Sequence, residues 1–265
     1  MVEKIGIIGV GILGEAVKRY YEEKSYEVFC YDKFKNIGSM EEVNKADIIF
    51  ICVPTPRGDY NACDISIVDE VISCIQGHKV VIIKSTVIPG TTDAFQIKYP
   101  QHKVLFCPEF LTEKRAYEDF KNPKIKIVGD TPKSKSVALV VYGLLPMAKF
   151  NAIMPAKEAE LFKYFRNSFL AVKDAFANQI YELCQATQID YNCIKQCAEA
   201  DVWIGPEHLD PLRDGYRGFN GKCLPKDTEA FLAWADQRCA NLNVLKEAVG
   251  YNSRLLELRN IKKDS

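Results

Sequence analysis

KIGIIGVGILG, at residues 4–14, joins a short apolar run to a turn with glycines at positions 9, 11 and 14. The run has the length and composition of a buried strand, and an amphipathic helix pattern follows it. In this strand–turn–helix context, Gly9 permits a tight turn, Gly11 lets the backbone approach a pyrophosphate, and Gly14 lets helix and strand touch. The helix begins near Ile12 and Leu13, and its N-terminus attracts phosphate. The segment therefore predicts a dinucleotide-binding unit.

Similar apolar runs recur through the first half of the chain, separated by stretches with helical periodicity. They are EVFCYDK (27–33), DIIFICVP (47–54), KVVIIKSTV (79–87), KVLFCPEF (103–110) and KIKIVGD (124–130). Buried strands that alternate with helices predict a doubly wound α/β domain with a parallel sheet. PKSKSVALVVYGLL (132–145) reads as a closing helix and AKFNAIM (148–154) as a short apolar stretch before Pro155. We expect a dinucleotide-binding domain at 1–153 and a helical domain at 154–265.

The second half has a different pattern. Residues 156–185 contain no Gly or Pro, and apolar residues recur there every three or four positions, which predicts one long helix with an apolar stripe. The stripe consists of Leu161, Phe165, Phe169, Val172, Phe176, Ile180 and Leu183. Residues 205–225 are rich in Gly, Pro and Asp and predict a long loop, and 227–240 and 243–263 predict two more helices. Long helices also suggest a homodimer.

Composition excludes several classes of protein. Lys plus Arg equals Asp plus Glu at 35 each, so no net charge favours nucleic acid or an acidic membrane. The apolar start is too short for a membrane span, and no export signal precedes it. The ten cysteines lie mostly in apolar runs, such as Cys30, Cys52 and Cys107, and the three histidines are scattered. We therefore expect a cytoplasmic protein without a structural metal.

Further polar residues follow the strands at the edge where such sheets bind ligands. Asp32, with Lys33 beside it, ends the second strand eighteen residues after Gly14, where a carboxylate accepts ribose hydroxyls and repels a 2′-phosphate. The predicted cofactor is therefore NAD rather than NADP. The third and fourth strands lead into further candidate cofactor residues, namely Val53, Pro54, Thr55, Ser85 and Thr86. Thr86 is also a candidate hydroxyl at the reacting centre, or else it only caps the turn before Pro89.

Two features of the second half suggest catalysis. Lys163 and Asn167 are four residues apart and share a helix face, where they can stabilise an alkoxide and hold substrate, or simply form a solvated face. Cys223 lies in GFNGKCLPKD (218–227), near Lys222 and Lys226, where a partly exposed thiol becomes a usable thiolate. The alternative is a cysteine packed beneath the loop.

In this order, GVGILG, VPTP, KSTVIPG, PEFLTE, the pair Lys163 and Asn167, and GFNGKCLPKD resemble the UDP-glucose/GDP-mannose dehydrogenase family. The resemblance spans residues 9–227 and implies oxidation of a nucleotide-sugar C6 alcohol to a carboxylate with two NAD, most often on UDP-glucose. It implies a covalent aldehyde adduct on Cys223, an oxyanion held by Lys163 and Asn167, proton removal by Asp227, and thioester hydrolysis by Glu109 and Thr86. It also implies that Glu113 lies near the nicotinamide. The implied sugar-site residues are Phe110, Leu111, Thr112, Lys163, Asn167, Tyr216, Arg217, Phe219, Gly221 and Cys223.

The sequence departs from the family in two ways. Asn220 stands where the family usually has Gly, and Asn tolerates positive φ. Family members also continue into a third domain that covers the nucleotide, so Tyr216, Arg217 and Lys222 are expected to hold the diphosphate here, unless a partner subunit does so or the substrate differs. Two other functions stay open: a β-hydroxyacid dehydrogenase, which makes one oxidation and needs no Cys, and a non-catalytic NAD-binding relative.

Overall fold

The computed structural model describes residues 4–213 and 215–258. They belong to two compact units, Met1–Thr55 with Asp64–Lys163, and Pro56–Cys63 with Tyr164–Ser265. The division falls inside a long helix that starts directly after Pro155. The domain boundary expected near residue 153 stays a prediction.

The first unit is built on a mostly parallel sheet. Its strands are β1 (Ile5–Ile8), β2 (Val28–Tyr31), β3 (Ile48–Ile51), β4 (Val80–Ile83), β5 (Lys103–Phe106), β6 (Ile125–Asp130) and β7 (Phe150–Pro155). Their spatial order is β2-β1-β3-β4-β5-β6-β7. The doubly wound α/β fold predicted from the apolar runs is confirmed.

The last two strands differ from the expectation of a wholly parallel sheet. β6 pairs with β5 in the antiparallel direction, and β7 pairs with β6 in the parallel direction. β7 contains FNAIM, which the sequence suggested was only a short apolar stretch before Pro155. Strand composition carries no information on strand direction, and mixed sheets with a reversed edge are common.

Six helices accompany the strands among the described residues of this unit. They are α1 (Ile12–Glu23), α2 (Met40–Val43), α3 (Ser66–Ser73), α4 (Thr91–Lys98), α5 (Ala116–Lys121) and α6 (Ala138–Leu144). Alternate strand residues enter two separate cores, since Ile49 and Ile51 belong to one and Ile48 and Phe50 to the other. Both faces of the sheet are therefore covered, as period-two burial requires.

The second unit is helical. The long helix α7 (Ala156–Thr187) runs into it from the first unit, and α8 (Tyr191–Ala200), α9 (Leu224–Asp236) and α10 (Asn243–Glu257) follow. The sequence predicted α7, α9 and α10, although α9 starts three residues before the predicted position, and it did not predict α8. Residues 201–223 form no helix or strand where described, as the predicted loop requires. No helix in the described ranges is long and apolar enough to cross a membrane.

Much of the apolar stripe of α7 is exposed, although Val172 packs against a small core that Ala175 forms with residues of α10. Phe165, Phe169 and Phe176 are each about 60% exposed, and the rings of Phe165 and Phe169 stack at 6.3 Å between centroids. The opposite face of α7 is buried and carries Tyr164 together with small and polar residues, among them Lys163 and Asn167. The helix thus buries several polar side chains and exposes three phenylalanines, whereas a surface helix usually buries its apolar side.

Candidate functional site

The turn between β1 and α1 leaves room for a ligand at one glycine only. Gly9 has φ +88°, the left-handed region that favours glycine. A Cβ on Gly14 would lie 1.9 Å from the Gly9 carbonyl oxygen, whereas nothing lies within 4 Å of a Cβ on Gly11. Gly11 is also the N-cap of α1. Because glycine has no side chain that could accept hydrogen bonds from the N–H groups of the first turn, these groups can bind an anion. These residues fit the pyrophosphate of a dinucleotide.

Asp32 ties this turn to the loop after β2. Its Oδ2 accepts a hydrogen bond from the Val10 N–H at 2.8 Å, and its Oδ1 accepts from the Phe34 and Lys35 N–H groups, each at 3.0 Å. Lys35 Nζ donates to the Val10 carbonyl oxygen at 2.5 Å. Each carboxylate oxygen can accept more than one hydrogen bond, so Asp32 can still accept from a ribose hydroxyl.

The segments after β3 and β4 are joined by two side-chain hydrogen bonds. Ser85 Oγ donates to the Val53 carbonyl oxygen at 2.6 Å, and Thr55 Oγ1 donates to the Thr86 carbonyl oxygen at 2.8 Å. Val53, Thr55 and Ser85 are buried, Thr86 is half-buried and Pro54 is exposed. The structure therefore brings together four of the predicted cofactor residues of the two strand ends, and it fixes the backbone of Thr86.

The other predicted cofactor residues are more exposed. Lys33 is exposed and forms an ion pair with Glu70, with 3.7 Å between Nζ and Oε1. Ile12 and Glu113 line a groove of about 490 Å³ between α1 and residues 113–118, and Arg19 also lines it. Leu13 packs partly buried against the core. This groove borders the N-terminus of α1.

The half-buried Glu109 and the buried Lys163 form an ion pair within the first unit. Lys163 Nζ lies 3.0 Å from Glu109 Oε1 and also donates to the Glu109 carbonyl oxygen at 2.7 Å. Glu109 Oε2 accepts from the Leu111 N–H at 2.7 Å. Burial alone would raise the pKa of Glu109, but Lys163, the Leu111 N–H and Lys84 together lower it. Glu109 is therefore held as a carboxylate, the state that a general base requires.

Lys84 is a residue whose contribution the sequence did not reveal. Its side chain is buried, and Nζ donates to the Cys107 carbonyl oxygen at 2.9 Å and lies 5.6 Å from the Phe120 ring centre. It therefore holds the backbone directly before Pro108 and Glu109. The signal available in the sequence was a lysine at the end of the apolar run VVII, where a solvated lysine is unexpected.

The three residues that follow Glu109 in the chain lie in different environments. Phe110 packs against one core and meets Phe162 edge to face at 5.8 Å, and Leu111 packs against the other core. Thr112 is exposed and both its N–H and its hydroxyl donate to Asp119 Oδ2, at 2.9 and 2.6 Å. Phe110 also lies beside Lys163, whose Nζ is 5.5 Å from the ring centre.

In the second unit, Cys223 is exposed and is the N-cap of α9. The positive end of a helix attracts anions, so this position suits a nucleophile that reacts as a thiolate. Lys226 lies on the first turn of α9. Burial opposes its charged form, but Asp227 above all, and Cys223 to a smaller extent, raise the pKa of Lys226. A cysteine packed beneath the loop, the alternative left open by the sequence, is wrong.

Asp227, on the first turn of α9, is a buried carboxylate with two partners in its unit. Asn167 Nδ2 donates to Asp227 Oδ2 at 2.7 Å, and Lys226 Nζ lies 2.8 Å from Asp227 Oδ1. Lys163 and Asn167 are only 3% and 4% exposed, so a solvated helix face is also wrong. α7 thus presents one buried cation and one buried amide a single turn apart, each bonded to a carboxylate of its own unit.

Arg217, expected at the diphosphate, is engaged within the protein. Its guanidinium donates to Asn178 and Glu182 of α7 and to the Tyr251 hydroxyl of α10, at 2.8 to 3.2 Å. These bonds hold the loop that precedes Cys223 in place. They also engage guanidinium N–H groups that would otherwise be available to bind a diphosphate. Tyr216 and Gly221 are half-buried, Phe219 is buried and Lys222 is exposed.

Two family models match the chain in succession. The NAD binding domain of the UDP-glucose/GDP-mannose dehydrogenase family matches residues 33–143, and its central domain matches residues 157–254. The UDP-glucose 6-dehydrogenase of Rickettsia conorii is 32% identical over 232 residues, which are 84% of this chain and 52% of that protein. The chain spans about half the length of the curated relatives it matches.

Solved structures agree on the fold. A UDP-glucose dehydrogenase of Pyrobaculum islandicum has a TM-score of 0.84 and 25% identity, covering 98% of this chain and 72% of that one. A 3-hydroxyisobutyrate dehydrogenase of Mycobacterium tuberculosis has a TM-score of 0.75 over 97% of this chain and 94% of that one. At 16% identity, the second likeness concerns the fold alone.

Proposed function

Because the chain belongs to the UDP-glucose/GDP-mannose dehydrogenase family, we propose that it oxidises the C6 alcohol of a nucleotide sugar to a carboxylate. The glycine-rich turn and Asp32 would hold NAD, which would supply the hydride acceptor for both oxidations. The observation that carries the proposal is the exposed Cys223 at the N-terminus of α9, since a single alcohol oxidation needs no nucleophile.

We assign the first oxidation to three buried groups. The Lys163 ammonium stabilises the C6 oxygen as its proton leaves, and the Asn167 amide holds that oxygen or a nearby water. Asp227 takes up the proton through a water. The bonds that each group makes in its own unit support these roles, because they fix a cation, an amide and a carboxylate in place before substrate arrives.

Cys223 is assigned to the second oxidation. Its sulfur adds to C6 of the aldehyde and the oxygen takes up a proton, which forms a thiohemiacetal. Loss of that proton and of the C6 hydride gives a thioester on Cys223. The position at the start of α9 and the Lys226 charge support this role, because both favour the thiolate.

Glu109 is assigned to hydrolysis of the thioester, with Thr86 orienting the water. The carboxylate removes a proton from water, the oxygen adds to C6, and the C–S bond breaks to give the carboxylate product and the Cys223 thiol. The lowered pKa of Glu109 supports this role, because the base is ionised at neutral pH.

UDP-glucose is the substrate that we propose first, since the relative from R. conorii is named for it. The nucleotide half is a weaker assignment, because Arg217 is held by Asn178, Glu182 and Tyr251. Tyr216 and Lys222 stay predicted diphosphate contacts. A β-hydroxyacid dehydrogenase is the second candidate, as the sequence left open.

We also propose that two chains pair through the exposed aromatic stripe of α7. Phe165, Phe169 and Phe176 are each about 60% exposed on the same stripe of α7, and grouped exposed apolar side chains mark interaction surfaces. A cytoplasmic location stays a prediction.

The test of the proposed reaction is the amount of NADH formed per sugar. Purified protein is incubated with NAD and, separately, UDP-glucose, GDP-mannose, UDP-N-acetylmannosamine and 3-hydroxyisobutyrate. Two NADH per molecule of one nucleotide sugar are expected, with the uronic acid as product. One NADH per hydroxyacid selects the second candidate, and no NADH with any compound contradicts both.

Cys223→Ser and Cys239→Ser form a matched pair, because both cysteines are exposed and only Cys223 caps α9. We expect Cys223→Ser to release no acid, whereas Cys239→Ser keeps the activity of the wild type. Acid release by Cys223→Ser at the wild-type rate would contradict the covalent mechanism.

A further inference from the structure

Asn252 of α10 pairs with the backbone of Phe219 through both ends of its amide. Its Oδ1 accepts from the Phe219 N–H at 2.7 Å, and its Nδ2 donates to the Phe219 carbonyl oxygen at 2.8 Å. Both residues are 2% exposed. The side chain therefore satisfies the two buried polar groups of a loop residue, as a neighbouring strand would.

Gly218, the residue before Phe219, has no side chain that would obstruct this contact. Gly218 has φ +89°, and a Cβ there would lie 2.4 Å from Asn252 Oδ1. Arg217, one residue earlier, is bonded to Tyr251, the neighbour of Asn252 on α10. Two loop residues, Arg217 and Phe219, are thus bonded to two consecutive residues of one helix, and Gly218 between them leaves room for the Asn252 side chain.

We propose that Asn252 is a positioning residue for the nucleophile, which holds Gly218 and Phe219 so that Cys223 stays at the start of α9. Only three residues separate Phe219 from Cys223. The chain between them has no helix or strand of its own, so the fixed position of Phe219 limits where it can place the cysteine. This inference rests on the proposed role of Cys223 and adds the group that keeps that residue in place.

The first test is hydrogen–deuterium exchange of Asn252→Ala, Asn252→Asp and the control Asn243→Ala. Asn243 is an exposed residue of the same type on the same helix. In Asn252→Ala, amides of residues 218–223 should exchange about tenfold faster or more, because the Phe219 N–H loses its acceptor. Asn252→Asp keeps an acceptor but loses the donor, so its exchange should be intermediate. Wild-type exchange in Asn252→Ala overturns the inference.

The second test measures the thiol itself without any substrate. Iodoacetamide labelling is followed by mass spectrometry at Cys223 and at Cys239, an exposed cysteine that serves as the internal reference. We expect the ratio of the Cys223 rate to the Cys239 rate to fall at least threefold in Asn252→Ala, less in Asn252→Asp, and not in Asn243→Ala. An unchanged or higher ratio overturns the inference.

Asn252→Asp provides the folded variant if thermal unfolding shows that Asn252→Ala is not native. In that case, faster amide exchange and slower Cys223 labelling in Asn252→Asp support the inference. Wild-type values of both quantities in Asn252→Asp overturn it. Failure of the wild type to oxidise any nucleotide sugar contradicts the proposed function instead, since neither exchange nor labelling requires turnover.

Discussion

At the residue scale, Cys107 and Cys223 show how position determines thiol chemistry. Burial raises the pKa of Cys107 to about 11 and that of Cys52 to about 12, so both are protonated packing residues at neutral pH. Cys223 is exposed at a helix N-terminus, next to a turn that carries a lysine. The loop composition around Cys223 already distinguished it in the sequence, whereas its place as the N-cap required the structure.

Gly11 and Gly14 allow a matched prediction about cofactor binding. Gly14→Ala should destabilise the protein by about 2 kcal/mol or more, because its Cβ would collide with the Gly9 carbonyl. Gly11→Ala should leave stability nearly unchanged, since no atom lies within 4 Å of its Cβ. Both should weaken NAD binding. Urea denaturation and NADH fluorescence titration measure these effects, and tight NADH binding by Gly11→Ala would contradict the assigned pyrophosphate site.

Glu109→Gln tests the hydrolytic base and its pH dependence. The variant should complete both oxidations and then accumulate a thioester, which intact-protein mass spectrometry detects and which Cys223→Ser should lack. In the wild type, hydrolysis should persist as the pH falls below neutral, because the lowered pKa keeps Glu109 ionised to below its ordinary value of 4.5. Hydrolysis by the variant at the wild-type rate would remove Glu109 from this role.

At the scale of helices and strands, composition predicted which segments form each element. It did not predict how an element is placed against its neighbours in the fold. The six apolar runs became β1–β6 and the stretch without Gly or Pro became α7. The direction of β6 and the outward position of the α7 stripe could not be predicted, because periodicity does not say which face meets the core.

The candidate site follows the same rule. Its motifs were visible in the sequence, but the groups that hold them were not. Lys84, Glu160 and Asn252 bond residues that are 23, 70 and 33 positions away, respectively. Pairings at such separations arise only when the chain folds, so single-sequence patterns do not contain them.

Glu160 links two elements of the first unit. It lies on α7, one turn before Lys163, and is fully buried. Its Oε2 accepts from the Gly90 N–H at 2.6 Å, and its Oε1 accepts from the N–H and hydroxyl of Thr92 at 2.8 and 2.6 Å. This carboxylate therefore caps α4 and fixes α7 against the segment that follows Thr86.

Glu160 predicts a decline in stability with rising pH. Burial raises its pKa to about 7 although the three donors oppose the shift. The folded state thus binds a proton more readily than the unfolded state, whose value is 4.5. Proton binding by Glu160 therefore stabilises the folded state fully below pH 4.5. This stabilisation is lost as the pH rises through 7, which lowers the free energy of unfolding by about 3 kcal/mol.

Urea denaturation of the wild type and Glu160→Gln from pH 5 to 8 measures this contribution. The difference between their free energies of unfolding should change with pH, because glutamine does not titrate. A constant difference would show that Glu160 keeps the same charge in both states. Thr92→Val serves as the control that removes one donor but keeps the carboxylate.

At the scale of the whole molecule, the outward face of α7 predicts a dimer. The exposed phenylalanines between Phe165 and Phe176 of α7 are costly to leave in water, and a second copy of the same helix would cover them. Phe165 and Phe169 already stack on each other, so they offer a continuous apolar surface to such a partner. A twofold arrangement would pair the stripe with itself.

Light scattering at micromolar concentration should therefore give twice the chain mass of 30.0 kDa. Phe169→Glu should shift the protein to the monomer, because a dimer would bury the new charges without partners. Leu139→Glu, at another highly exposed apolar residue on α6, should leave the dimer intact. A wild-type monomer, or dissociation by Leu139→Glu as readily as by Phe169→Glu, would contradict pairing through α7.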